Sequence, residues 1–298
     1  MTPRPFRFGV VAGARTGQEW LEKARRIESL GFDTMAVPDT LQHSPAPFPA
    51  LAAAAAATRT LRVGTYVLAN DYRHPVMLAK EAATLDFVSG GRFELGIGAG
   101  RPASAADNAM LGLPFDTGAA RVARLAESLS IIKPLLAGQT VDFHGACYSA
   151  KQAAISPAPV QSPLPILIAG GQRRLLELAA READAIALAI QPQETEDQVA
   201  ERIGWIRAAA GDRFAHIAIN VNLMAVAGQV PSYIRMSAGA EAARQLAESE
   251  AIPVLKGSIE EMCERLQWLR DHFAISYLMV GDELMDALAP VVERLAGT

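Results

Sequence analysis

The chain has 298 residues, half of them apolar, which is enough for a full buried core. A formal net charge of −4 argues against a nucleic-acid partner, which calls for a basic face, and against an anionic membrane surface. Cys147 and Cys263 stand far apart, so neither a disulfide framework nor a zinc cluster is expected and a reducing cytoplasm is the reading. Met1 to Phe8 has no apolar run of signal-peptide type. The longest apolar stretch, Ala50 to Ala57, is far short of the roughly 20 residues of a membrane span.

The elements alternate along the chain. Phe6 to Ala12 is rich in β-forming residues and stops at Gly13, which predicts a strand. Over Thr16 to Leu30, Trp20, Leu21, Ala24, Ile27 and Leu30 recur at helical spacing, with Glu19, Lys23 and Arg26 on the other side. Thr16 with Glu19 predicts a capping box, and Gly31 a glycine helix end. Asp33 to Val37 reads as the second strand. A Pro-rich loop, Ser44 to Pro49, and the Ala-rich helix follow. Leu61 to Leu68 is the third strand, and Pro75 suits the first turn of a helix to Val88. Arg92 to Ile97 is the fourth, followed by a long amphipathic helix from Thr117 to Leu136. Pro165–Ala169, Ala185–Leu188, Ile217–Ala225 and Ile275–Val280 are strands five to eight. Helices over Gln172–Arg181, Glu196–Ala209, Ala240–Glu250, Ile259–His272 and Glu283–Leu295 follow or flank them.

These strands are short unbroken apolar runs, the pattern of parallel strands covered on both faces. Eight of them alternating with helices, with no break in composition over residues 1–298, predict one α/β domain, a (β/α)8 TIM barrel with loop insertions. The rival, an open doubly wound sheet, calls for G-x-G-x-x-G after the first strand, and Gly13-Ala14-Arg15-Thr16-Gly17 does not match it. Long connections run from Gly98 to Thr117 and from Gly138 to Pro163. The second alternates Val141, Phe143 and Tyr148, as in a small hairpin. Gly228 to Gly239 reads as a mobile lid.

Binding groups in such a barrel stand at strand C-termini. Gly170-Gly171-Gln172-Arg173-Arg174 joins a glycine turn to a helix start. Free backbone N–H groups at the positive end of a helix dipole, with two arginines, suit a phosphate; a tight turn with solvated arginines is the plainer reading. Gly96 to Gly100 lacks bulky side chains and either admits a flat ring or loosens the loop. Asp39 can hold a ring N–H or a substrate hydroxyl, or serve in a cap or an ion pair. His74 is an acid/base candidate or simply a helix start. Asn70 closes the third strand. The five histidines show no metal-ligand spacing, and H-E-x-x-H, Walker A and G-x-S-x-G motifs are lacking, so no metal is expected.

Leu61 to Thr65 (LRVGT), Arg73-His74-Pro75, Ala79 to Asp86 (AKEAATLD) and Ser89 to Gly100 (SGGRFELGIGAG) together resemble the luciferase-like monooxygenase superfamily. The likeness is strongest to its branch using coenzyme F420, an 8-hydroxy-5-deazaflavin. Val37-Pro38-Asp39, Pro157 to Gln161, Pro165 to Gly171 and Lys256 to Glu261 extend it over nearly the whole chain. The resemblance implies an F420-dependent oxidoreductase of a small organic substrate such as an enone, imine or alcohol. It places the ring across the barrel mouth, backed by a bulge with a non-prolyl cis bond at Tyr66–Val67. Gly98 to Gly100 would flank the ring, and Gly170, Gly171 and Arg173 would hold the phosphate. It also implies a homodimer, for which the helices Ala50–Ala57 and Pro75–Val88 are flat enough. An FMN-dependent monooxygenase using reduced flavin and oxygen is the alternative, and a non-catalytic flavin-fold binding protein a third reading. Two positions depart from the pattern. Thr40 follows Asp39 where many relatives carry His, and a hydroxyl has no pKa suited to a general base near neutrality. Arg101 stands where several relatives have Trp or Glu, and could grip an anionic group. Asp39, Tyr66 and His74 are the candidate proton donors.

Overall fold

Eight parallel strands close on themselves in the computed structural model, which describes residues 4–298; Met1 to Pro3, part of the segment inspected above for a leader, lie outside the described residues. In chain order they are β1 (Arg7–Val11), β2 (Thr34–Val37), β3 (Arg62–Thr65), β4 (Phe93–Gly98), β5 (Ile166–Gly170), β6 (Ala185–Leu188), β7 (Ala218–Leu223) and β8 (Ile275–Gly281). Each pairs with the next. β1 then pairs with β8, from Arg7 opposite Tyr277 to Val11 opposite Gly281. That closure excludes the open sheet. The outer helices are α1 (Gly17–Ser29), α2 (Pro47–Ala57), α3 (Pro75–Ser89), α4 (Gly118–Leu136), α5 (Arg173–Glu182), α6 (Glu196–Ala210), α7 (Ile259–Phe273) and α8 (Met285–Leu295).

Local chemistry explains most boundaries. Thr16 Oγ1 accepts the Glu19 N–H at 3.1 Å, but the Glu19 carboxylate accepts from Arg15 N–H instead of Thr16, so only half of the expected box forms. Full boxes start α6 at Thr195/Gln198 and α7 at Ser258/Glu261. Gly90, at φ 69°, ends α3. The third strand is not one unbroken run from Leu61 to Leu68: pairing stops at Thr65 and resumes only at Leu68–Ala69. The break is the bulge, with its cis Tyr66–Val67 bond, that the family resemblance implied.

The strands separate two apolar regions. Phe8, Val10, Val63, Leu95, Ile97 and Ile186 face outward into the core shared with the helices. Ala36, Leu167, Ala187, Tyr277 and Met279 face inward, joined by Tyr66, Val67 and Ala169. The N-terminal end of the barrel is plugged by charge. Arg7 contacts Asp33 and Glu94, both at 2.6 Å, and Tyr277 Oη donates to Glu94 at 3.0 Å. Burial disfavours the Arg7 guanidinium, yet Glu94, Tyr277 and Asp33 outweigh it and hold the group charged.

Two insertions follow the expectations in kind. Val141–His144 and Ser149–Ala153 pair as an antiparallel hairpin between α4 and β5. Between β7 and α7, Gly228 (φ 78°) and Gly239 (φ 88°) bound a segment carrying the short helix Ser232–Ala238, with a second helix, Ala240–Glu248, after it. Val230, Ile234, Ala243, Leu246 and Val254 give this segment a small core apart from the main one. Among the described residues no helix is long and apolar enough to cross a membrane.

Candidate active site

The mouth is shaped first by the bulge between β3 and Leu68. Thr65 Oγ1 donates to Gly96 O at 2.7 Å and accepts from Gly96 N–H at 2.8 Å, which binds the strand to β4. A Cβ on Gly96 would lie 1.9 Å from Thr65 O, and one on Gly98 would lie 3.0 Å from Val67 Cγ2. The space above these two glycines is therefore taken by the bulge; they serve it rather than clearing room for a ring. Gly100 is at φ 81°, beside Arg121 and Phe115.

Asp39 fastens the bulge to the end of β2. Its Oδ2 accepts the Ala69 N–H at 3.2 Å, and Arg73 pairs with both oxygens at 2.6 and 3.2 Å. Both of its oxygens are thus engaged as acceptors by neighbouring groups. His74 sits at the exposed rim as the N-cap of α3. Its Nδ1 accepts from Val76 N–H at 3.3 Å, and its ring meets Tyr148 edge-on at 5.6 Å. Asn70 is buried against the hairpin, its amide 3.4 Å from Tyr148 Oη. Thr40 bonds to Ser44, which in turn donates to Pro38 O at 2.9 Å and closes the loop after β2.

Tyr66 is the candidate donor whose hydroxyl reaches the lumen. It donates to Asn220 Oδ1 at 2.7 Å, and burial pushes the phenol well above its ordinary range, so it keeps its proton at neutral pH. β3 and β7 are opposite strands of the barrel, so this bond spans the mouth. Asn220 and Asn222 were not singled out in the sequence. Two asparagines alternating with Val and Leu inside an apolar strand were the available signal, since residues two apart share a face.

The glycine turn after β5 also has internal causes. Leu175 fills the space at Gly170, and Ala189 O with Arg202 fills that at Gly171. Gln172 is the N-cap of α5 but makes no side-chain cap, so the first N–H groups of α5 remain open to an anion. The Arg173 guanidinium turns away, to Glu177 at 2.8 Å along the helix, which leaves its backbone N–H as the contribution to the turn. Arg174 is exposed and has no ion pair among the described residues. Arg202 was missed. It is 6% exposed, donates to Ala189 O at 2.7 Å and pairs with Glu194 at 2.5 Å, tying the turns after β5 and β6 together. A charged residue within the apolar stripe Val199–Ile203–Ile206 was its signal.

At the rim, Arg101 is exposed and close enough to Tyr233 of the lid to act on its phenol. Burial and the nearby Glu283 carboxylate raise that phenol and Arg101 opposes them. Ser232 N–H and Oγ donate to Glu283 at 2.9 and 2.6 Å, which ties the Gly228–Gly239 segment to the loop after β8.

The sequence profile of the luciferase-like monooxygenase family matches residues 4–290. The chain belongs to that family. Among relatives of this luciferase-like protein, the F420-dependent glucose-6-phosphate dehydrogenase of Beutenbergia cavernae is 39% identical over 165 residues, 53% of this chain and 48% of the relative. The chain thus spans about half the length of that curated relative. Among solved structures, the coenzyme F420-dependent tetrahydromethanopterin reductase of Methanopyrus kandleri aligns with a TM-score of 0.79 at 17% identity, over 98% of this chain and 99% of the other. EDTA monooxygenase from Chelativorans sp. BNC1 aligns at 0.77 and 14% identity, over 99% and 95%. Both share the luciferase-like barrel fold.

Proposed function

We propose that the chain is an F420-dependent oxidoreductase acting on a small organic substrate. The carrying observation is the adjacency of two features: the bulge over β4, which gives the mouth a flat wall, and the uncapped start of α5 on the neighbouring strand β5. Val67 would back the cofactor ring, and the amides from Gly171 to Arg174 would hold its phosphate. When bound, the deazaflavin supplies two-electron hydride chemistry at its C5 carbon. The chain orients the substrate, shuts out water beneath the lid, and holds a proton at Tyr66 Oη. The sequence relationship to an F420-dependent dehydrogenase supports F420 over FMN, as do the exposed cations Arg101 and Arg174 for an anionic cofactor tail.

Titrating the purified protein with F420 and with FMN, followed by fluorescence quenching, tests this reading. Micromolar F420 binding is expected; FMN binding without F420 binding favours a flavin monooxygenase, and neither favours a non-catalytic protein. We also propose a homodimer through α3, whose Phe87 and Val88 are 57% and 56% exposed, with Val160 alongside. A small-molecule substrate rather than nucleic acid is the expected partner, and the exposed free thiol of Cys147 fits a reducing cytoplasm.

A further inference from the structure

We infer that Tyr66, Asn220 and Asn222 form a hydrogen-bonding subsite across the barrel lumen that takes the oxygen of an uncharged carbonyl or alcohol substrate. The inference deepens the proposed oxidoreductase reading and rests on it for the reaction, though not for the binding.

Asn220 is 0% exposed, and its Oδ1 accepts from Tyr66 while Nδ2 has no partner among the described residues. Turning the amide over only exchanges the two atoms: one polar end faces Tyr66 and the other is left over. An unmatched buried amide atom is a standing cost to the fold, one that is offset where a partner arrives. Asn222, two residues on and opposite Met279, leaves its buried Oδ1 unmatched as well. The subsite thus offers a donor and an acceptor on one face of β7, with a phenol from the opposite strand.

The surroundings define the class of ligand. Ala36, Ala187, Met279 and Val67 give the lumen an apolar wall. Asp39, at the end of β2, is already neutralised by Arg73, and the Arg7–Glu94 group closes the far end of the barrel. A phosphate or carboxylate in the lumen would lack a counter-charge, whereas a carbonyl or hydroxyl on an apolar skeleton is matched.

The test measures binding of cyclohexanone, cyclohexanol and glucose 6-phosphate by saturation-transfer NMR, with and without F420, for wild type, Asn220→Leu, Asn222→Leu and the double variant Tyr66→Phe/Asn220→Leu. Wild type is expected to bind an uncharged probe, Asn220→Leu to weaken it about tenfold or more, and F420 affinity to change less than about twofold. The double variant removes both polar groups together and is expected to melt at least about 2 °C higher than wild type, a result that a purely structural pair would reverse. Equal probe binding in Asn220→Leu shows an amide served by water alone and overturns the subsite. So does the lack of uncharged-probe binding by wild type, or glucose 6-phosphate binding that Asn220→Leu abolishes. If wild type binds neither F420 nor FMN while Asn220→Leu still weakens the probe, the subsite stands and the cofactor reading falls.

Discussion

Arg173 carries two donors with different destinations. Its guanidinium bonds Glu177, while its backbone N–H is one of the open groups at the first turn of α5. Proline is tolerated at this first helical position and removes only the N–H; Gln172 before it, at φ −94° and ψ 143°, already has the backbone that proline requires. Arg173→Pro is therefore expected to weaken F420 binding about tenfold, and Arg173→Ala less than about threefold. Fluorescence titration checks this, and the reverse ranking would return the phosphate contact to the side chain. Glu28 is a structural counterpart away from the mouth. Its Oε1 accepts the N–H groups of Arg59, Thr60 and Leu61 at 2.8, 2.7 and 3.0 Å. Burial acts to raise this carboxyl, but the N–H groups and the Thr60 hydroxyl outweigh it and hold it at about 2. Since the folded value lies below the unfolded one, near ~4.3, its stabilisation is complete above about pH 5 and fades as pH falls towards 2. Glu28→Gln should lower Tm at pH 7, and the gap should close at about pH 2. A gap that stays constant in thermal melts across that range would remove the assignment.

At the scale of elements, β3 is where local reading and folded structure part. Leu61 to Leu68 has the composition of one strand, and only the fold interrupts it after Thr65. The glycines of β4 answer that interruption. Gly96→Ala would drive a methyl group into the Thr65 carbonyl, a backbone atom that cannot step aside. A loss of at least about 3 kcal/mol, or failure to fold, is expected in denaturation experiments. Gly98→Ala meets the Val67 side chain, which can rotate, so about 1 kcal/mol is expected there. Had both variants behaved alike, the bulge would not be what these glycines accommodate. The same difference explains what was legible of the site. The Gly170–Arg174 segment showed because a glycine turn before a helix is contiguous in the chain. Asn220 did not, because it acts on Tyr66, 154 residues away; Arg202 did not, because its partners Ala189 and Glu194, 13 and 8 residues back, meet it only once the helix folds over the turn before it.

For the whole molecule, the exposed face of α3 and the separate core of the lid are the parts the barrel itself leaves unused. Phe87→Glu is expected to convert a dimer to monomers in sedimentation without a change in fold, because the side chain is more than half exposed in one chain. A wild-type monomer would end the dimer proposal. Hydrophobic period and element order were sufficient for the eight-fold βα alternation, since each strand and helix is specified by neighbours within a dozen residues. Closure of the ring is a different kind of fact. It sets β3 against β7 across the lumen and aligns the starts of distant loops, and no local pattern encodes which inward side chains then meet. The pairing of Tyr66 with Asn220 and the capture of Asp39 by Arg73 are consequences of that packing, whereas the turning of Arg173 towards Glu177 follows from the four-residue spacing of one helix.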